Sequence, residues 1–302
     1  MALRMKFWQR YNIQMEKAYL CVDIGGTKTA VAIFGENREE RFYGAFPTRP
    51  AEGAAALTER VYEFVADKLR GYDVSEGVIA APGPLDCEKG ILINLVTLGW
   101  KNIPIIKLFV EKFHIAFTLI NDCDAGVLGV AEEFGFAERG TVCYISISTG
   151  IGGGTVVHGK VLNGAGNASD FGHIPVAGEG LVCGCGQIDC LELYSSGSGI
   201  ENRYKMKSGR AYPCADIARM ASEGDVWAKQ IFSDAAEYIA YAVRVISAMI
   251  DPDLIVFGGS VCQSGDLLFT KINNNGIKTV CTSAEGKQVL YGAFVLLKIN
   301  CA

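Results

Sequence analysis

A duplicated α/β fold, two lobes with a cleft between them, is what this sequence predicts, and three observations carry the expectation. Short apolar, β-branched runs alternate with segments of helical spacing along the chain. Two such runs, Ala18–Ile24 and Thr29–Phe34, flank a Gly-Gly-Thr turn and read as a hairpin. The pattern then restarts: Thr141–Ser148 and Thr155–Val157 are strands separated by another glycine-rich turn. With 302 residues the chain is long enough to bury two separate cores.

Between the two hairpins the elements follow in order. Leu57, Val61, Phe64, Val65 and Leu69 recur at helical spacing after Gly53. Gly77–Ala81 is a buried strand stopped by Pro82-Gly83-Pro84. Pro104 opens a helix through Phe113, since proline suits a first helical turn. Ala116–Ile120 is a further buried strand that ends at Asn121-Asp122. After the second hairpin come long helical patterns, notably Val226–Ile250, and a strand, Leu254–Phe257, running into Gly258-Gly259. Residues 18–121 are expected to form a small N-terminal lobe and residues 122–288 a large one. A C-terminal helix at about 289–302 is expected to return to the small lobe.

Composition narrows the function. Half of the residues are apolar and a fifth charged, with a net charge of -5, which argues against a nucleic-acid-binding surface. The eleven cysteines are an odd number and mostly stand singly in apolar runs, as reduced core thiols of an intracellular protein do. No apolar stretch is long enough to span a bilayer. The first seventeen residues contain Arg4, Lys6, Arg10 and Lys17 but no continuous apolar run, so no targeting segment is expected. The expectation is a cytoplasmic protein with no membrane partner.

Two glycine-rich segments have the chemistry of phosphate loops. In Asp23-Ile24-Gly25-Gly26-Thr27-Lys28-Thr29 the glycines let backbone N–H groups approach phosphate oxygens, and Thr27 and Lys28 add a hydroxyl and a cation. Asp23, closing a buried strand, is placed to hold magnesium through water. The same residues also suit a plain hairpin turn, and the segment alone does not choose. Ser148-Thr149-Gly150-Ile151-Gly152-Gly153-Gly154 repeats the chemistry in the second half. Neither has the Walker A spacing, which disfavours a P-loop fold. Gly258 and Gly259 would permit close approach of a flat ligand such as adenine, or simply end a strand.

His173 followed by Cys183, Cys185 and Cys190 supplies an imidazole and three thiols within a short segment. A C-x-C-x4-C spacing with an upstream histidine favours a closed, structural zinc site over a Cys185–Cys190 redox pair or plain buried thiols. Neither His114 nor His158 has such neighbours. Asp122 follows a strand that runs out towards the expected cleft. A carboxylate there suits a general base, and the Asn121-Asp122 pair equally suits a cap for a helix from Ala125 to Glu133.

Taken together, these segments resemble the ROK family of repressors, open reading frames and kinases, from Ala18 onward. The motifs stand in order: DIGGTK at Asp23–Lys28, PGP at Pro82–Pro84, ND at Asn121–Asp122 and STGIGGG at Ser148–Gly154. The Gly172–His173 pair, the cysteine signature at Cys183–Glu192 and the Asp251–Gly259 segment follow. The resemblance implies an actin-like ATPase (ribonuclease H-like) fold and Mg-ATP-dependent phosphorylation of a hexose or N-acyl hexosamine at the C6 hydroxyl. It places Asp122 as catalytic base and Asn94, Asn121, Asp170, His173 and Glu192 at the sugar. It places Asp23, Gly25, Gly26, Thr27, Lys28, Ser148, Thr149, Gly150, Gly152, Gly153, Gly258 and Gly259 at ATP. Zinc on His173, Cys183, Cys185 and Cys190 would rigidify the sugar site, and a homodimer is expected.

Three positions depart from the family pattern. Asp170 stands where glutamate is usual, Asp189 where glycine is common, and the stretch from Ser260 to Tyr291 is short. A ROK repressor needs an N-terminal winged helix-turn-helix, for which seventeen residues are too few. A non-catalytic sugar-binding member is the other alternative, disfavoured by Asp122 and the two phosphate loops. Glucose and N-acetylmannosamine lead the expected substrates.

Overall fold

The computed structural model describes residues 15–176, 178–272, 278–282 and 286–300. Expectations for residues 1–14 and 301–302, and part of that for Ser260–Tyr291, lie outside the described residues. The chain divides into two compact units, Met1–Asp122 with Ala293–Ala302, and Cys123–Gly292.

The first unit opens with β1 (Glu16–Ile24) and β2 (Lys28–Gly35), antiparallel, with Ile24 opposite Thr29 at the turn. Ala18–Val22 is buried throughout, which is why this strand reads as an unbroken apolar run rather than an alternation. β3 (Glu40–Pro47), α1 (Gly53–Leu69) and β4 (Tyr72–Ala81) follow. A small antiparallel sheet of β5 (Leu85–Asp86), β6 (Ile91–Leu95) and β7 (Trp100–Ile103) precedes α2 (Ile105–Phe113) and β8 (Ala116–Asn121). The main sheet has the order β3-β2-β1-β4-β8, with β1, β4 and β8 parallel. α1 buries Leu57, Val61 and Val65 at the spacing the sequence predicts, and α2 buries Ile105 and Phe109. Each such side chain contributes about 1.5–3 kcal/mol by leaving water.

Parallel pairing has a consequence for function. It brings the carboxyl ends of β1, β4 and β8 to one edge, where open α/β sheets take their ligands. By register Asp23 stands beside Ala80, which stands beside Ile120. Two strand spacings, about 10 Å, therefore separate Asp23 from the end of β8.

The second unit repeats the plan. β9 (Thr141–Ile147), β10 (Ile151–Val157) and β11 (Lys160–Val161) are antiparallel neighbours. Later strands β12 (Leu254–Gly258) and β13 (Thr279–Cys281) extend the sheet in parallel, giving the order β11-β10-β9-β12-β13. Its helices are α3 (Asp122–Glu133), α4 (Glu192–Ser195), α5 (Gly197–Ser208), α6 (Cys214–Glu223), α7 (Val226–Ile250) and α8 (Asp266–Phe269). α7 is capped by the Asp225 carboxylate, which accepts from Ala228 N–H at 2.8 Å, and buries a stripe from Ile231 to Ile246.

The last helix, α9 (Lys287–Asn300), passes from the second unit to the first at Gly292. A Cβ at Gly292 would overlap the Ala125 carbonyl oxygen of α3, so close crossing of the two helices requires glycine there. In the first unit Phe294 packs on Tyr19 and Phe34, with ring centroids 5.6 and 5.0 Å away.

The structure differs from the sequence reading in two places near the candidate site. The second turn is only Ser148–Gly150, because Gly152, Gly153 and Gly154 belong to β10. Helix α3 begins at Asp122 itself, three residues before the expected start at Ala125, so Asp122 is its first residue.

Candidate functional site

In the first unit the β1–β2 turn is tightened by a 3.0 Å hydrogen bond from Gly25 N–H to the Lys28 carbonyl. Among the described residues, the N–H groups of Gly26 and Thr27 have no acceptor within the protein. Two residues that the sequence reading missed support the turn from behind. The Thr48 hydroxyl donates to the Gly25 carbonyl at 2.7 Å, and Thr48 N–H to the Thr27 carbonyl at 2.9 Å. Arg60 in turn donates to the carbonyls of Pro47 and Thr48. Thr48 lies in a Pro-Thr-Arg-Pro stretch with no periodicity, so no sequence signal marks it.

Asp23 is half-buried where β1 enters this turn. Burial first, and the charge of Asp122 second, push its carboxyl up to about 7 against the opposing pull of Lys28. Asp23 and Asp122 thus lie within electrostatic reach at the sheet edge that register predicts. The raised value has a testable consequence. An aspartate titrates near about 4 when unfolded, so between that pH and about 7 the folded form binds the extra proton. The stability owed to this group is fully present below pH ~4 and is lost as pH rises through the folded value. Asp23→Asn removes that dependence. Its melting temperature relative to the parent should therefore climb between about pH 5 and pH 8, whereas a constant difference would contradict the assignment.

Also in this unit, Asn121 ends β8 with its side-chain amide beside Gly83. Asn94 is exposed on β6, opposite Lys101.

The second unit holds the remaining candidates. The Ser148–Gly150 turn is stapled to the start of α5: Gly197 N–H donates to the Ser148 carbonyl at 2.8 Å, and the Ser198 hydroxyl to the Thr149 carbonyl at 2.7 Å. Beneath it, a Glu192 carboxylate oxygen accepts from Ile151 N–H at 3.0 Å. Glu192, expected at the sugar, therefore also anchors this turn. Gly258 and Gly259 have packing reasons to be glycine. A Cβ at Gly258 would overlap the Tyr144 hydroxyl, and Gly259, at φ 91, presses on the Ile147 carbonyl.

His173, Cys183, Cys185 and Cys190 come together, with one donor atom from each all within 4.8 Å of one another. Cys185 and Cys190 Sγ are 3.6 Å apart, and Cys183 Sγ is 3.8 Å from His173 Nδ1. A tetrahedral zinc with bonds of about 2.3 Å to sulfur needs edges of about 3.8 Å, so the set fits. Burial pushes the Cys190 thiol up, while the Gln187 backbone N–H holds Cys185 below the ordinary thiol range. With Nδ1 turned to the cysteines, His173 presents Nε2 to Asp170, whose Oδ2 is 3.6 Å away. The half-exposed Asp170 thus meets the cluster at the imidazole.

The model of the ROK family matches residues 19–296. The chain belongs to the ROK family. This ROK chain is 32% identical over 245 residues to an N-acetylmannosamine kinase of Escherichia fergusonii, covering 80% of the chain and 82% of that protein. It is 27% identical over 281 residues to a glucokinase of Halalkalibacterium halodurans, covering 86% and 85% of the two. It superposes with a TM-score of 0.76 and 26% identity on a ROK glucokinase of Streptomyces griseus solved with glucose and AMPPNP, covering 92% and 98% of the chains. The fold of this ROK chain is that of the actin-like ATPases. Among its described residues, no helix is long and apolar enough to cross a membrane.

Proposed function

We propose that this chain transfers the γ-phosphoryl group of ATP to the C6 hydroxyl of a hexose, either glucose or an N-acyl hexosamine such as N-acetylmannosamine. The chain is an ATP-dependent sugar kinase, as its kinship with named sugar kinases supports. The observation that carries the residue assignment is the gathering of Asp23, the Gly25–Lys28 turn and Asp122 at one sheet edge.

Phosphoryl transfer needs positioning, charge neutralisation and a group that takes the proton of the attacking hydroxyl. Asp122 takes that proton. The Gly26 and Thr27 N–H groups and Lys28 meet phosphate oxygens, and the turn of Ser148, Thr149 and Gly150 has the same phosphate-binding chemistry. Gly258 and Gly259 lie along the nucleotide. Asp23 would hold magnesium through water, and that ion would neutralise phosphate charge. Asn94, Asn121, Asp170, His173 and Glu192 bind the sugar. Zinc on His173, Cys183, Cys185 and Cys190 would supply rigidity, fixing the imidazole that faces Asp170.

Asp170 tests the choice of sugar. An aspartate in place of glutamate withdraws the carboxylate by one methylene, ~1.5 Å, more than a hydrogen bond tolerates. The gap suits a bulky or axial substituent at C2, as in N-acetylmannosamine, or a bridging water with glucose at raised KM. Asp170→Glu should shift the ratio of kcat/KM towards glucose by roughly 5- to 150-fold, the reach of one pocket contact worth ~1–3 kcal/mol. Measuring both sugars on both proteins decides it. An unchanged ratio would mean that Asp170 does not set specificity.

A further inference from the structure

Asp189, the residue that departs from the family pattern inside the cysteine segment, has its backbone in the left-handed region, at φ 60. Glycine is at ease there and a side chain costs strain. The carboxylate shows what offsets that strain. Its Oδ1 accepts from Gly180 N–H at 2.8 Å, from Leu181 N–H at 2.9 Å and from the Tyr194 hydroxyl. The Tyr194 oxygen in turn accepts from Glu179 N–H at 2.7 Å. The backbone of Asp189 joins the same clamp, donating to the Leu181 carbonyl and accepting from Val176 N–H, both at 2.8 Å.

Val176, Glu179, Gly180 and Leu181 on one side and Asp189 on the other are the two stems of the segment that carries Cys183, Cys185 and Cys190, so these bonds close its base. The clamp is tied to the core, because Tyr194 is fully buried on α4. Arg203 of α5 extends it by donating to Glu179 at 2.8 Å and to Asp234 of α7 at 2.9 Å. Asp189 itself is not among the four clustered donors.

We infer that Asp189 is a positioning residue that sets the shape of the cysteine segment before any metal binds. The inference rests on the zinc reading above and adds that the donor set is preorganised by the protein rather than by the ion. Holding the stems together removes conformations that would otherwise be lost on binding, and it slows departure of a ligand once bound. All three side-chain bonds fall on one oxygen, which gives the experiment its contrast. Asparagine offers an equivalent oxygen in the same place and tolerates positive φ. Glycine removes the oxygen while relieving the backbone.

The test compares the parent, Asp189→Asn and Asp189→Gly. Zinc release to a chromogenic chelator should be ~10–100-fold faster in the glycine variant, the usual effect of losing a group that orients metal ligands. The asparagine variant should release zinc at close to the parental rate. In zinc-stripped protein, the Gly180 and Leu181 amides should resist hydrogen exchange in the parent and the asparagine variant but exchange freely in the glycine variant. If Asp189 serves only as a residue that accepts positive φ, glycine will hold zinc as well as the parent with both amides still protected, which overturns the inference. An asparagine variant that fails as glycine does overturns it too. A parent that carries no zinc would instead refute the zinc reading, and amide protection alone would then judge the clamp.

Discussion

Asp122→Asn should lower turnover by ~10²–10⁴-fold, the ordinary cost of removing a general base, while the protein stays folded. Asparagine matches aspartate in shape and can still hydrogen-bond a sugar hydroxyl, but it cannot take the proton. The fold should tolerate the change because Asp122 is half-buried at the first turn of α3, where a carboxylate is worth only ~0.3–1 kcal/mol through the helix dipole. The substitution also removes a charge that raises Asp23, so the Asp23 carboxyl should titrate lower in the variant. Single-turnover kinetics separate the chemical step from product release. A variant that keeps more than about a third of parental turnover with chemistry rate-limiting would show that Asp122 is not the base.

Cys185→Ser should empty the metal site and loosen the sugar site together. Three remaining donors bind a borderline-soft cation far less well than four, and a structural zinc contributes directly to folding free energy. Cys190, buried and 3.6 Å from Cys185, would lose a thiol partner. The effect should reach the sugar because His173 is shared: Nδ1 faces Cys183 and Nε2 faces Asp170. Zinc content should fall from about one per chain, the count for a single four-ligand site. Melting temperature should drop and KM for the sugar should rise. A protein found metal-free by elemental analysis yet fully active would defeat this account.

Legibility in the sequence followed physical scale. Hairpin β1–β2 was readable because both strands are buried and apolar, and the helical spacing of Leu57, Val61 and Val65 was readable because they share one buried face. β3 was not, since this edge strand is half-exposed and mixes charge with aromatic residues. The small β5–β7 sheet escaped because its strands have only two to five residues. Length of the second turn was misjudged for a tertiary reason. Gly153 and Gly154 are strand residues whose missing side chains admit Phe171 and the Cys123 carbonyl, contacts that no local pattern shows.

The candidate site divides in the same way. The His173 and cysteine cluster was visible because its donors lie close in sequence, so spacing reports on geometry. Approach of Asp23 to Asp122 depends on parallel pairing through β4, and only strand order reveals it. Thr48, Arg60 and Ser198 support the turns through backbone carbonyls, a role that residue type does not announce. Asp189 could be noticed as a departure, but its three bonds could not be read from the sequence.

ADP release measured with Mg-ATP across a panel of hexoses and N-acyl hexosamines tests the central claim most directly. ADP should form only when sugar is present, fastest with glucose or N-acetylmannosamine, and a 6-phosphate should appear in equal amount. ADP formation at the same rate with and without sugar, or none with any member of the panel, would contradict the assignment as a sugar kinase.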